Sequence, residues 1–146
     1  MEIVTKSAQE TFDLGKKLAG GLRGGEVLAL TGPLGAGKTV LVQGLAWGLG
    51  VRERVISPSY VLMREHELRV KGKSLKRLYH VDFYRLEDAS GEVATLGLPE
   101  IWSDGGNIVV IEWAEKGKDK LPERTKWIEF SGTGEGERRI KLEFNI

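Results

Sequence analysis

Residues 32–39 form a glycine-rich segment, GPLGAGKT, that ends in a lysine and a threonine. The segment matches the pattern G-x-x-x-x-G-K-[ST] at every fixed position, and its glycines allow backbone amides to turn inward around phosphate oxygens. In such loops the lysine reaches the β- and γ-phosphates, and the hydroxyl takes one position on Mg²⁺. We therefore predict a nucleotide-binding loop in which Lys38 contacts phosphate and Thr39 is a metal ligand. The predicted binding residues are Gly32, Leu34, Gly35, Ala36, Gly37, Lys38, Thr39 and Val40.

A phosphate loop of this kind needs a carboxylate at the end of a neighbouring strand to hold the metal or its water. Glu112 directly follows the apolar run 108–111, which is the Walker B pattern with glutamate in place of the commoner aspartate. Asp82 alternates with His80 and Tyr84, so these three polar side chains share one face of a predicted strand. That face could line a cleft or could be the solvated side of a hairpin. His80 alone is more typical of a structural hydrogen bonder than of a base.

Two further features bear on the nucleotide. Ser57 and Ser59 flank a proline after the loop helix, where a hydroxyl could sense the γ-phosphate or complete the magnesium coordination; a simple turn is the alternative. Neither asparagine of the chain, Asn107 or Asn145, is followed by lysine, so the guanine-reading motif N-K-x-D is absent. Adenine is therefore the predicted base.

The elements around the loop are those that a phosphate loop requires. Residues 27–30 are wholly apolar, which is typical of a parallel strand buried on both faces. Leucines recur every four residues after Lys38, which predicts an amphipathic helix to residue 50. Gly44 and Gly48 lie inside this helix, where glycine is unfavourable, and close packing of the helix on the sheet is our interpretation. An earlier helix begins at the capping box of Ser7 and Glu10.

The rest of the chain reads as strands and turns. The patterns predict one hairpin from residues 55–70 and 78–85 with its turn at 71–73, a short helix capped by Asp88, a buried strand at 108–112, and a second hairpin from residues 125–131 and 138–145. The sum is a single α/β domain over residues 1–146, P-loop NTPase-like, with a mixed, mainly parallel central sheet and antiparallel hairpins.

Composition excludes several classes of protein. The chain has 22 Lys and Arg against 21 Asp and Glu, and a net charge of +1 is not typical of a protein that coats nucleic acid or anionic membranes. Absence of cysteine excludes disulfides, thiolate zinc sites and a cysteine nucleophile. The apolar runs are too short to span a bilayer and no secretion signal is recognisable, so we expect a cytoplasmic protein.

The motifs together resemble the TsaE family, formerly called YjeE, in their order and spacing. They are the loop at residues 32–39, Ser57-Pro58, the H-x-D-x-Y-R-L segment at residues 80–86, G-L-x-E at residues 97–100 and I-E-W at residues 111–113. The resemblance implies a P-loop α/β fold with weak ATPase activity that uses ATP and Mg²⁺. It further implies an accessory role to the TsaB–TsaD heterodimer, which makes N6-threonylcarbamoyladenosine at position 37 of ANN-decoding tRNAs.

The resemblance also implies roles for individual residues. Thr39 and Glu112 become metal ligands, Asp82 becomes a catalytic-site carboxylate with Lys38 and Glu112, and Trp113 lies beside the nucleotide. Ser59 stands where the family usually has threonine, which keeps the hydroxyl of the switch candidate but removes a methyl group.

The sequence leaves two alternative functions possible, and it leaves the role of one basic surface patch undecided. A small P-loop kinase would need an arginine-bearing lid, for which Arg64 and Arg85 are the nearest candidates; a nucleotide-sensing interaction module would hydrolyse ATP negligibly. Five basic residues with no acid between them cluster at the predicted hairpin tip and could contact tRNA phosphates or an acidic partner, or could simply be solvated. They are Arg69, Lys71, Lys73, Lys76 and Arg77.

Overall fold

The strands that the apolar runs predict form the centre of a seven-stranded sheet in the computed structural model, which describes residues 1–134 and 136–146. The strands are β1 (Glu2–Thr5), β2 (Val27–Thr31), β3 (Met63–Glu67), β4 (Arg77–Asp82), β5 (Asn107–Glu112), β6 (Lys126–Gly134) and β7 (Glu137–Leu142). The helices are α1 (Ala8–Gly20), α2 (Lys38–Gly48), α3 (Ser90–Thr95) and α4 (Leu98–Ser103), with a 3-10 segment at Ala114–Lys120.

The sheet is mixed, in the order β1-β7-β6-β2-β5-β4-β3. The four central strands β6, β2, β5 and β4 are parallel, whereas β3 on β4, β7 on β6 and β1 on β7 pair antiparallel. The α/β class, the mainly parallel sheet and both hairpins are thus confirmed. The connection of the terminal hairpin includes Glu135, which lies outside the described residues. In the part of the chain described, no helix is long and apolar enough to cross a membrane.

Side-chain alternation divides the core into two layers, one on each face of the parallel strands. On one face, Leu30, Leu78 and Val110 pack in the cluster that contains the buried side chains of α1 and α2. On the other face, Val81 and Ile111 pack with residues of α3 and α4. The even-numbered residues of β4 and β5 therefore point toward the helix that follows the phosphate loop, and this face carries the polar ends of both strands.

Several element boundaries differ from the sequence predictions. The second strand of the first hairpin ends at Asp82 rather than at residue 85, because its partner β5 ends at Glu112, the register partner of Asp82. Asp88 does not cap α3, which begins at Ser90; its carboxylate accepts the Ser90 amide in a local turn. Strand β1, helix α4 and the 3-10 segment were not predicted, because each is at most seven residues long and too short for a periodic pattern.

Helix α1, not the sheet, explains the glycines inside α2, so the predicted packing partner was wrong. A Cβ atom at Gly44 would lie 2.0 Å from the carbonyl oxygen of Phe12, and one at Gly48 would lie 2.6 Å from the Cβ of Ala19. From the opposite helix, a Cβ at Gly15 would lie 2.3 Å from the carbonyl oxygen of Leu41. The two backbones approach so closely that only glycine fits at their crossing.

Gly44→Ala is expected to lower the free energy of unfolding by about 1–3 kcal/mol, the usual effect of overpacking. The added methyl group would meet backbone rather than a flexible side chain, so the helices must separate, and this outweighs the gain of about 1 kcal/mol in helix propensity. Chemical denaturation measures the difference. Gly20→Ala is the matched control, because a Cβ there meets nothing within 4 Å. Equal stability of the two variants would contradict the close approach of α1 and α2.

Candidate functional site

The carboxyl ends of three parallel strands meet at one edge of the sheet. Leu30 near the end of β2 is in register with Glu112 at the end of β5, and Glu112 is in register with Asp82 at the end of β4. Ligands of open α/β sheets bind outside the carboxyl ends of the strands. The glycine-rich loop leaves β2 at this edge, so the topology places it beside both predicted carboxylates.

The backbone of the loop has a positive φ at each of its three glycines. Gly32 has φ +135°, Gly35 has φ +78° and Gly37 has φ +99°, a region that residues with a side chain rarely adopt. Gly37 is the N-cap of α2, and no side chain caps the helix. The first amides of α2 are therefore free of a side-chain acceptor, and the positive end of the helix dipole lies at the loop, as phosphate binding requires.

A cleft of about 380 Å³ opens between the loop and the ends of β4 and β5. Its lining contains nearly all of the predicted site: Leu34, Gly35, Ala36, Gly37, Lys38, Thr39, Val40, Ser57, Ser59, Asp82, Tyr84, Glu112 and Trp113. Gly32 is the one predicted binding residue that does not line it. A Cβ at Gly32 would lie 2.6 Å from the Phe130 carbonyl oxygen, so this glycine lets the loop pass strand β6 rather than facing the cleft.

Lys38 is folded back onto its own loop. Its ammonium donates to the carbonyl oxygens of Gly32 at 2.5 Å and Pro33 at 2.8 Å, and it lies 4.2 Å from the ring centroid of Trp113. Burial lowers the pKa of Lys38, and the carboxylates of Glu112, then Glu115 and Asp82, oppose that lowering in part. The ammonium is thus held at the cleft by hydrogen bonds to two uncharged carbonyl oxygens and by the Trp113 ring, and negatively charged phosphate oxygens could replace these contacts.

The two predicted metal ligands touch each other in the cleft. The Thr39 hydroxyl donates to Glu112 Oε1 at 2.9 Å, although 73 residues separate them in sequence. Among the described residues, no group of three or more His, Cys, Asp or Glu could hold a metal by itself. Two hard oxygen ligands beside a phosphate loop nevertheless fit Mg²⁺, which usually takes one or two protein oxygens together with phosphate and water.

The second oxygen of Glu112 contacts a histidine that lies beneath the cleft. His80 Nε2 is 2.6 Å from Glu112 Oε2, and the histidine is completely buried. Of the polar trio predicted on β4, Asp82 and Tyr84 line the cleft and His80 does not. The prediction that His80 is a hydrogen bonder agrees with this contact, but sequence reasoning had not identified Glu112 as its partner.

Asp82 holds the two switch candidates. Its Oδ2 accepts the hydroxyl of Ser57 and, at 2.9 Å, that of Ser59, while its Oδ1 accepts the Tyr84 amide at 2.8 Å. The two serine hydroxyls are 3.0 Å apart. This carboxylate therefore connects the end of β4 to the segment that precedes β3, and both serines face the cleft.

An aromatic pair closes one side of the cleft. Trp113 has φ +57°, which is uncommon for a residue other than glycine, and its ring centroid lies 5.2 Å from that of Tyr84. The left-handed conformation directs the chain sharply out of β5 and into the 3-10 segment. Trp113 therefore lies beside the loop lysine and lines the cleft, and its place beside a nucleotide stays a prediction.

A second cavity of about 240 Å³ lies on the other side of the same loop. Gly35, Gly37 and Val40 line both cavities. The wall of the second one is completed by the start of α1, including Ser7 and Thr11, and by Arg138, whose guanidinium donates to the Gly35 carbonyl oxygen at 3.1 Å. Sequence reasoning missed Arg138, because it reaches the loop only through the pairing of β7 with β6, and no local motif marks it.

Three of the five basic residues at the hairpin tip lie beside acidic side chains. Arg69 pairs with Glu67, Lys76 with Asp104 and Arg77 with Glu65, at N–O distances of 3.8, 3.0 and 3.6 Å. Lys73 donates to the carbonyl oxygens of Gly20 and Leu22. These acids lie in β3 and in the turn before β5, outside the stretch 69–77 that contains the basic residues. The prediction considered only that stretch and therefore missed them. The tip also lies at the amino end of β4, away from the cleft.

Comparison with known proteins gives a consistent result. A family model described as "Threonylcarbamoyl adenosine biosynthesis protein TsaE" matches residues 5–140. A protein of Treponema pallidum named tRNA threonylcarbamoyladenosine biosynthesis protein TsaE is 37% identical over 97% of this chain and 99% of its own length. The protein of the same name from Bacillus subtilis is 36% identical over 93% of this chain and 80% of its own. The crystal structure of Bacillus subtilis YdiB matches with a TM-score of 0.77 and 32% identity, covering 97% of this chain and 83% of that one.

Proposed function

The chain belongs to the TsaE family of tRNA threonylcarbamoyladenosine biosynthesis proteins, and we propose that it binds ATP with Mg²⁺ and hydrolyses it slowly as an accessory to the TsaB–TsaD complex. The observation that carries this proposal is the contact of Thr39 with Glu112 at the mouth of the phosphate loop. A loop hydroxyl and a strand-end carboxylate within hydrogen-bond distance are the pair that holds magnesium in P-loop NTPases.

Different residues of the cleft would contact different parts of the nucleotide. The amides of the loop and of the first turn of α2 bind phosphate oxygens, and Lys38 moves from its carbonyl contacts to the β- and γ-phosphates. Bound Mg²⁺ would neutralise part of the phosphate charge, with Thr39 and Glu112 as its protein ligands. Asp82 holds the hydroxyls of Ser57 and Ser59 at the wall of the cleft, and a bound γ-phosphate would compete with Asp82 for them, which makes that segment responsive to the state of the nucleotide.

The nucleoside is proposed to occupy the second cavity. This cavity adjoins the loop on the side opposite the carboxylates, so a nucleotide whose phosphates lie in the loop can extend into it. Arg138 and the start of α1 would then contact the ribose and adenine. The two cavities, of about 380 and 240 Å³, share Gly35, Gly37 and Val40 as lining residues, so both open onto the phosphate loop.

Slow hydrolysis follows from the charges of the cleft. Lys38 is the one cationic side chain among its described lining residues, and no arginine lines it. An arginine that stabilises the transition state is worth roughly 10³–10⁵ in rate in related NTPases. The isolated chain should therefore turn over slowly, and a partner that supplies such a group would accelerate it.

The kinase is the less well supported of the two alternative functions. A kinase would need a lid arginine, for which Arg64 and Arg85 are the candidates, and neither of them lines the cleft. Arg85 instead stacks on the exposed ring of Tyr60, with its guanidinium carbon 4.1 Å from the ring centroid. A purely sensing module would use the same Thr39–Glu112 pair to hold Mg²⁺, so only the measured turnover separates it from an ATPase.

The test is ATP hydrolysis by the purified protein, alone and with TsaB, TsaD and substrate tRNA. The expected result is slow Mg²⁺-dependent release of inorganic phosphate that accelerates in the presence of the partners. Transfer of the labelled γ-phosphate to another acceptor would instead indicate a kinase. Tight ATP binding with no release under any condition would indicate a sensing module. We also propose a cytoplasmic location, because TsaB, TsaD and their substrate tRNA would be found there.

A further inference from the structure

His80 has no role in the proposed function, yet it is the polar side chain most completely buried near the cleft. It is fully excluded from solvent, and its Nδ1 has no hydrogen-bond partner. A buried polar atom without a partner costs stability, and a leucine at this position would avoid that cost. The histidine is therefore not explained by packing.

Its other nitrogen supplies the explanation. Nε2 lies 2.6 Å from Glu112 Oε2, and because a carboxylate only accepts hydrogen bonds, Nε2 must carry the proton and donate. Glu112 Oε1 meanwhile accepts the Thr39 hydroxyl. The carboxylate is thus held at both oxygens, from beneath by the histidine and from the cleft side by the threonine.

We infer that His80 is a positioning residue for Glu112, fixing the rotamer in which Oε1 faces Thr39 and the metal position. The alternation of β4 and β5 makes this possible, since His80 and Glu112 both point to the α2 face of the sheet. Groups that orient metal ligands in this way typically contribute 10- to 100-fold to metal affinity or activity. The inference rests on the proposed function, because it concerns the same Mg²⁺ ligand.

The experiment measures metal binding rather than turnover. Mn²⁺ would replace Mg²⁺ as a paramagnetic probe, and its affinity for the protein with bound ADP would be measured by electron paramagnetic resonance. His80→Leu is expected to weaken Mn²⁺ binding about 10- to 100-fold, with little change in ADP affinity in EDTA. His80→Gln should restore most of the metal affinity, because the glutamine amide nitrogen can occupy the position of Nε2 and donate to Glu112.

The chain offers a matched control in His66. This histidine is also buried, contacts the carboxylate of Glu53 through Nδ1 at 2.8 Å, and has its other nitrogen unpartnered, but it lies on β3 outside the cleft. His66→Leu should leave Mn²⁺ affinity unchanged, which separates a positioning effect from the general effect of removing a buried histidine.

The outcomes distinguish the inference from the proposed function. If the wild-type protein with ADP binds no Mn²⁺, the proposed function itself fails. If the wild type binds Mn²⁺ and His80→Leu binds it equally well, or if His80→Gln loses as much affinity as a folded His80→Leu, the positioning role is overturned. If His80→Leu does not fold, the comparison of His80→Gln with the wild type decides: affinity reduced tenfold or more overturns the inference, and near-wild-type affinity supports it.

Discussion

Lys38→Ala is expected to weaken ATP binding by about 10²-fold or more and to leave the folded structure intact. Loss of one partner from a buried, hydrogen-bonded charge pair costs 2–5 kcal/mol, and each 1.4 kcal/mol is a factor of ten in affinity. In the structure the same ammonium contacts two loop carbonyls and the face of Trp113, all of them uncharged groups. Isothermal titration calorimetry with ATP, combined with chemical denaturation of both proteins, measures the two effects separately.

Lys116→Ala is the matched control. Its ammonium lies 5.3 Å from the same Trp113 ring but does not line the cleft, so this variant should bind ATP as the wild type does. Equal losses in the two variants would mean that removing positive charge near Trp113, and not phosphate contact by Lys38, weakens binding. ATP affinity retained in Lys38→Ala would contradict the assignment of the phosphate loop.

The buried ammonium of Lys38 should also make the free energy of unfolding rise with pH in the alkaline range. Burial lowers the pKa of Lys38 in the folded protein from its ordinary value of 10.5. Between the lowered pKa and 10.5, the unfolded chain binds more protons than the folded one, so the contribution of Lys38 to the free energy of unfolding rises with pH. The wild type should therefore gain stability relative to Lys38→Ala as the pH approaches 10.5 from below.

The parts of the fold that the sequence predicts are those with a local pattern. The apolar runs of β2 and β5, the leucine repeat of α2 and the turns of both hairpins are each visible within about ten residues. Strand β1 carries no such pattern, because its four residues are fixed by backbone pairing with β7, at the other end of the chain. The need for glycine at position 44 could not be predicted from the sequence either, because a Cβ there would clash with the carbonyl oxygen of Phe12, which lies in another helix.

The candidate site shows the same division. The phosphate loop, Asp82 and Glu112 stand in recognisable motifs and come together at one edge of the sheet, as the parallel topology requires. The contact of His80 with Glu112 depends on the register of β4 against β5, and that of Arg138 with the loop depends on the β6–β7 hairpin. The two contacts join residues that are 32 and 103 positions apart in the sequence, and no local residue pattern encodes them, so they required the structure.

Glu112→Gln is expected to reduce Mg²⁺-dependent ATP hydrolysis in the presence of TsaB and TsaD by about 10²-fold or more. A metal ion contributes several kcal/mol to stabilising charge in the transition state, and the neutral amide is a poorer ligand for it. ATP affinity measured in EDTA should be unchanged or higher, because a negative charge that faces the phosphates is removed. Phosphate release measures the expected loss of hydrolysis, and nucleotide titration measures the ATP affinity that should be kept; each is done with and without Mg²⁺. Glu115→Gln is the control, since this exposed carboxylate also acts on Lys38 but does not line the cleft.

Asp82→Asn decides which of the two carboxylates holds the metal. Both oxygens of Asp82 accept hydrogen bonds, from the hydroxyls of Ser57 and Ser59 and from the Tyr84 amide, and Asp82 does not contact Thr39. Glu112 instead shares Oε1 with Thr39, the other predicted ligand. Asp82→Asn should therefore lower turnover while the Mg²⁺ concentration needed for half-maximal hydrolysis stays near that of the wild type, whereas Glu112→Gln should raise that concentration. If the two variants exchange these responses, Asp82 holds the metal and Glu112 only positions Thr39.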